Sequence, residues 1–283
     1  MALMSAAEPI AYRARWLLPV DQPPIENGLV TITGELRLWH KVTLTLNGPQ
    51  SAESGNDPNP FRDHRMTVTF VHESGAPAYN VPGYFAADGN AANSSASDGD
   101  RWRAHLSPDK TGRWDWRISF VSGRDVAVDA SAAGNAMPLA PFDGLGGSFR
   151  VAPSTKPVPD FRALGRLQYV GRHHLRFAGT GDYFLKVGAD SPETLLAYED
   201  FDGTSAMRAA VPLKTYAAHV QDWAPGDPVW KDGKGKGLLG AINYLASRHV
   251  NAMSFLSYNA GGDGDNVWPF VSRDDKFHYD VSK

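Results

Sequence analysis

The chain has 283 residues, 28 Lys plus Arg against 31 Asp plus Glu, nine His and no cysteine. At about 100–200 residues per domain this is one large domain or two ordinary ones, and 42% hydrophobic with 21% charged residues excludes global disorder. A formal net charge of −3 argues against nucleic acid as the main ligand, while the lack of cysteine excludes a disulfide scaffold, a thiolate metal site and a cysteine nucleophile.

No stretch reaches the ~18 consecutive apolar residues of a membrane span. The N-terminal MALMSAAEPIAYRARWLLPV lacks the basic start and apolar core of a signal peptide. Up to about Val151 the pattern is strand and turn. Leu36, Leu38, His40, Val42, Leu44 and Leu46 alternate with mostly polar residues over Glu35–Leu46, which predicts a half-buried strand or a bent pair. Asn47-Gly48-Pro49 then reads as its stop. Met66, Val68 and Phe70 mark a second strand, and Trp114, Trp116, Ile118 and Phe120 a third. Shorter strands are expected at Trp102–Leu106, Asp125–Val128 and Ser148–Val151, and the polar run after Phe85, to Asp100, reads as a long surface loop. Several short strands with Gly, Pro and Asn punctuation predict an antiparallel, all-β immunoglobulin-like sandwich over residues 1–153.

Ser154–Pro159 has two prolines and no periodicity and is expected to be a linker; with the hairpin around Ala178–Asp182 it fills residues 154–180. Tyr183–Gly188 then reads as a buried-type strand. Leu238, Leu239, Ile242, Leu245 and Ala246 recur at helical spacing within Gly235–Val250. Asn251–Tyr258 is strand-like again. Strand, loop, helix and strand make one βαβ unit of the kind found in parallel sheets and barrels, and no internal repeat is visible.

The segments WHKVTLTLNGP (Trp39–Pro49), NPFRDHRMTVTF (Asn59–Phe70), VPGYFAADGNAA (Val81–Ala92) and SPDKTGRWDW (Ser107–Trp116) resemble a bacterial N-terminal sandwich known as domain of unknown function 5060. Phe184–Thr204 and Trp230–Phe270 resemble the domain C-terminal to that sandwich in the same family, a cellulase-like (β/α)8 barrel grouped with glycoside hydrolases. The resemblance implies that residues 181–283 are the truncated start of a TIM barrel. A complete barrel takes ~250 residues, and 103 remain from Gly181. In such barrels the acid/base and nucleophile carboxylates sit on the fourth and seventh strands, so no catalytic residue is assigned here.

In the barrel reading the active face lies at the C-terminal ends of the strands, where glycosidases need carboxylates, amides and aromatic faces. Substrate contacts are accordingly expected from Asp190, Glu193, Asn259, Asp263, Trp268 and Trp230. Plainer roles suit some of the same residues. Asp190-Ser191-Pro192-Glu193 also fits a helix-starting turn, and Asp222-Trp223 and Trp230 also fit a self-packed loop. Lys231–Gly237 lacks the G-x-x-x-x-G-K-[ST] spacing of a phosphate loop. Asp263-x-Asp265 departs from the calcium-loop pattern at Val267. His40 and His173-His174 have no third ligand at useful spacing, and no G-x-S-x-G occurs. Trp39 falls on the polar side of its strand, open to sugar stacking or to packing.

The expectation is therefore the N-terminal portion of a carbohydrate-active enzyme resembling a glycoside hydrolase, acting on polysaccharide or oligosaccharide and inactive by itself. The alternative is a non-catalytic carbohydrate-binding or docking module. The expected partners are carbohydrate and the remainder of the barrel, with no cofactor, metal, nucleic acid or membrane. The resemblance implies a secreted or periplasmic setting.

Overall fold

The computed structural model describes residues 25–190, 194–201, 204–206, 213–256 and 267–268. The N-terminal strands are β1 (Ile25–Asn27), β2 (Val30–Thr33), β3 (Val42–Ala52), β4 (His64–His72) and β5 (Ala78–Pro82). They continue as β6 (Tyr84–Phe85), β7 (Asp98–Leu106), β8 (Gly112–Ser122), β9 (Met137–Pro138) and β10 (Gly146–Val151). They form two antiparallel sheets, ordered β1-β2-β3-β7-β6 and β10-β8-β4-β5, with β9 added to β8. Strict alternation explains the packing. In β4 every even residue from His64 to His72 is buried, and in β8 so are Trp114, Trp116, Ile118 and Phe120. These meet Leu44, Leu46 and Trp102 of the first sheet in one core cluster, as in a β-sandwich. Each apolar side chain among them, such as Val68, Phe70, Ile118 or Phe120, contributes about 1.5–3 kcal/mol by leaving water.

Several expected boundaries move. Residues 35–41 bury Leu36 and His40 as expected but also Glu35, with Leu38 only half-buried, so they lose strict alternation and turn rather than extend, with Leu36 at φ 51° and Trp39 at φ 63°. The strand starts at Val42 and does not stop at Pro49. It runs to Ala52 through a register shift between Asn47 and Ser51, which leaves the proline without a ladder partner. Trp102 Nε1 donates to Pro49 O at 3.1 Å. A side chain at Gly48 would meet the Trp102 ring at 2.6 Å, so only glycine lets the backbone pass there. The polar run after Phe85 is not all loop: it holds helix α1 (Ala91–Ser94) and the start of β7. Asp125–Val128 is a turn, not a strand. Asp125 N donates to Asp63 Oδ1 at 2.9 Å and Ala127 N to Arg62 O at 2.9 Å, so side chain and loop take up the groups a ladder would need.

The chain divides into two units between Phe184 and Leu185. The first continues past the sandwich through helix α2 (Phe161–Leu164) and the antiparallel strands β11 (Leu167–Gln168) and β12 (Arg176–Phe177). Phe177 N donates to Asp182 O at 2.8 Å, and Arg176 bridges Tyr183, so the expected hairpin closes here. This stretch is fastened to the sandwich by a buried carboxylate. Glu35, 5% exposed, has Lys156 Nζ at 3.4 Å and Arg162 Nη1 at 3.7 Å. His40, 2% exposed, donates from Nδ1 to Leu38 O and places Nε2 at 3.3 Å from Glu35, off hydrogen-bond alignment. Trp39 lies against Gly165 and Gly179, where added side-chain carbons would come within 3.0 and 3.2 Å of its ring. The Arg166 guanidinium sits 6.0 Å from the Trp39 ring centre and pairs with Asp109 at 3.1 Å.

Among the described residues the second unit is sparse in regular structure. Helix α3 (Lys236–Ser247) is its long element, and β13 (Ser205–Ala206) pairs antiparallel with β14 (Val267–Trp268). The expected strands at 183–188 and 251–258 do not form ladders in the described residues, and 257–258 lie outside them. Tyr183, Leu185 and Val187 are exposed, as are Phe255 and Leu256. A buried parallel strand needs a neighbour on each side, and among the described residues 185–190 has one.

Two outcomes are expected. Glu35→Ala should lower unfolding stability by about 2 kcal/mol, because it leaves Lys156 without its buried partner while Arg162 keeps Asp160; a loss below about 1 kcal/mol in urea denaturation would contradict this role. Burial also pushes the His64 imidazole below its ordinary value, against the opposing Asp63 charge. A depressed histidine contributes stability above the unfolded pKa of about 6.5 and loses it as pH falls below that. Urea midpoints measured down the acid limb should therefore fall less steeply in His64→Phe than in the parent.

Candidate functional site

The segment after β12 and the segment after α3 lie side by side. Asn251 N donates to Val187 O at 2.9 Å, and Ser254 Oγ to Asp190 Oδ1 at 2.9 Å. A side chain at Gly188 would strike Ala252 O at 1.8 Å. The contacts advance together along both segments, so the two run parallel. The Asn251 carboxamide completes the pairing: Nδ2 donates to Leu185 O at 2.8 Å and Oδ1 accepts from Val187 N at 2.8 Å. Those are the bonds a backbone peptide would make opposite Lys186 in a parallel ladder.

Asp190 stands at the C-terminal end of this pair, its side chain 78% exposed. It forms a close ion pair with Lys186, four residues back, and accepts from Ser254. The hydrogen bond from Lys186, then that from Ser254, holds its carboxyl below the usual carboxylate range. A general acid in glycoside hydrolysis needs the opposite shift. Asp190 is thus fitted to accept hydrogen bonds from hydroxyl groups, not to donate a proton.

A second cluster surrounds the start of α3. Asp200 Oδ2 accepts from Tyr198 OH at 2.6 Å and from Gly235 N at 2.7 Å, and Trp230 Nε1 donates to Asp200 O at 3.1 Å. The Trp230 and Phe201 rings stack at 5.6 Å and 10°. Tyr198 is 2% exposed; burial, then the hydrogen bond to Asp200 and its charge, pushes the phenol up to about 12. The loop before α3 packs against the helix because glycine leaves room. Side chains at Gly237 and Gly240 would meet Thr215 O at 2.4 Å and His219 O at 1.8 Å. Asn243, buried on the same helix, donates to Asp222 O and Asp227 Oδ2, and Lys236 Nζ lies 4.5 Å from the Trp223 ring centre. A shallow hollow of ≈ 250 Å³ remains, lined by Tyr198, Glu199, Asp200, Thr215 and Lys236 among others.

Of the residues expected to hold substrate, Asp190 lies at the parallel pair and Trp230 in the aromatic cluster, and no hydrogen bond joins them among the described residues. The Trp268 backbone pairs with Ser205. Glu193, Asn259 and Asp263 lie outside the described residues. No group of His, Asp and Glu fit to hold a metal occurs among the described residues. The Gly-rich run Lys231–Gly237 serves the turn into α3, with Gly233 at φ 98° and Gly235 at φ 91°. Sequence reasoning missed Lys186, Asn251 and Ser254. Lys186 was read as part of an extended strand, where a residue four positions on is not a neighbour, and the 64-residue separation that brings up Ser254 and Asn251 has no local signal.

Residues 35–121 match the family described as Domain of unknown function (DUF5060), a span that runs from the buried Glu35 into β8. A solved crystal structure of a "putative glycoside hydrolase" from Bacteroides vulgatus ATCC 8482 is similar over 83% of this chain, at 14% identity and a TM-score of 0.42. The match covers 43% of that protein, so this chain spans less than half its length. No curated protein matches the chain.

Tyr198 offers a spectroscopic check. Its neutral phenol is the favoured form, so its contribution to stability is whole below the unfolded value of about 10 and is lost as pH rises toward about 12. Asp200→Asn removes the neighbouring charge and should bring the Tyr198 ionisation, followed by ultraviolet difference absorbance, to lower pH. An unchanged titration would show that Asp200 does not set it.

Proposed function

We propose that this chain is the N-terminal portion of a carbohydrate-active enzyme of the glycoside hydrolase type. In this reading an immunoglobulin-like sandwich, with its fastened hairpin, precedes the opening βαβ unit of a (β/α)8 barrel. The observation that carries it is the parallel run of 185–190 beside 251–256, joined through helix α3, with Asp190 and Ser254 meeting at the C-terminal ends. That end is where barrel enzymes place their active sites. Asp190 serves there as an ionised acceptor for sugar hydroxyls. The acid/base pair belongs to later strands of the barrel, and a secreted or periplasmic setting is part of the same proposal.

Tryptophan fluorescence of the 283-residue chain, titrated with a panel of neutral oligosaccharides, tests the reading. At least one should bind, and Asp190→Ala should weaken it about tenfold, or about 1.4 kcal/mol. Reducing-sugar release in the same mixtures should stay at background. Failure of every oligosaccharide to bind, or binding indifferent to Asp190→Ala, would overturn it.

A further inference from the structure

The outward face of the second sheet carries charge that the fold does not use. Arg65 on β4, Arg113 and Arg117 on β8 and Arg150 on β10 alternate with the buried residues of their strands, with Asp115 as the acid of the same β8 face. The register sets Arg150 directly opposite Arg113. Side chains so paired stand about 5 Å apart, and like charges there are destabilising. Arg113 reaches Asp115 at 3.2 Å, and Arg65 donates to Val126 O at 3.1 Å. The guanidinium groups of Arg117 and Arg150 make no hydrogen bond or ion pair among the described residues, and both residues are exposed. Arg117 has Gly146 as its neighbour on the edge strand, where no side chain can cover it. Thr69 lies opposite it on β4, and Ser119 follows two residues along β8 on the same face, each with a hydroxyl group.

A guanidinium is a planar fork that matches a carboxylate with two parallel bonds, and flanking hydroxyls suit sugar hydroxyls. Four residues of strand separate Arg113 from Arg117, about 13 Å, so the face suits an extended chain of repeating anions better than one small ion. The net charge of −3 is an average that this face escapes. We propose that the outward face of the second sheet binds a carboxylate-bearing polysaccharide through Arg117 and Arg150. The saccharide class rests on the proposed carbohydrate function; the acidic character comes from this face alone.

Affinity electrophoresis of the full chain tests it, with polygalacturonate in one gel and hydroxyethylcellulose in another. Polygalacturonate should retard the chain and hydroxyethylcellulose should not. The Arg117→Gln/Arg150→Gln variant should lose at least tenfold in affinity with its thermal midpoint unchanged or raised, since a like-charge pair is relieved. Lys41→Ala, placed before β3 in the other sheet, should bind like the parent. Undiminished retardation of the double variant, equal retardation by the neutral polymer, or tighter binding of duplex DNA would each overturn the proposal. Neutral oligosaccharide binding that depends on Asp190, without retardation by polygalacturonate, would sink this inference while leaving the carbohydrate function intact.

Discussion

Trp102 and Phe120 meet between the two sheets at 4.9 Å, and much of the first unit is shaped by accommodating them. The indole needs its N–H satisfied when buried. Pro49 O supplies the acceptor, which holds β3 against β7 beyond the point where a proline should end a strand. Gly48 gives the ring its space. His64 stands edge-on to both rings, 5.5 and 5.9 Å away, and is desolvated by them. One aromatic contact thus decides a bulge and a glycine and favours the neutral form of a histidine.

The sandwich does not end where its last strand ends. Glu35 is buried beneath the turn that leads to β3, and its cationic neighbours Lys156 and Arg162 come from beyond β10. A carboxylate withdrawn from water requires such partners. Arg162 is itself fixed by Asp160, which also caps α2 by accepting from Arg162 N. Trp39 over two glycines and Arg166 beside Asp109 make the same connection on the neighbouring surface.

Among the described residues the second unit is held by polar atoms more than by a core. Asp200 caps the start of α3, Asn243 holds the preceding loop, and Asn251 substitutes for a backbone peptide between two extended segments. Much of the aliphatic surface of those segments faces water. Among the described residues neither segment pairs with a further strand.

How much of this was legible depends on the distance over which each contact acts. The strands at Met66–Phe70 and Trp114–Phe120 and the helix over Lys236–Ser247 were readable because period two and period 3.6 are written locally. The acceptor for Trp102, the cations around Glu35 and the meeting of Asp190 with Ser254 lie 53, 121 and 64 or more residues apart in the chain, beyond any local pattern. The arginine face shows the division most plainly. Alternation alone placed Arg113 and Arg117 on the outside of one strand, but only strand register set Arg150 beside them, because cross-strand neighbours are chosen by how two distant segments align.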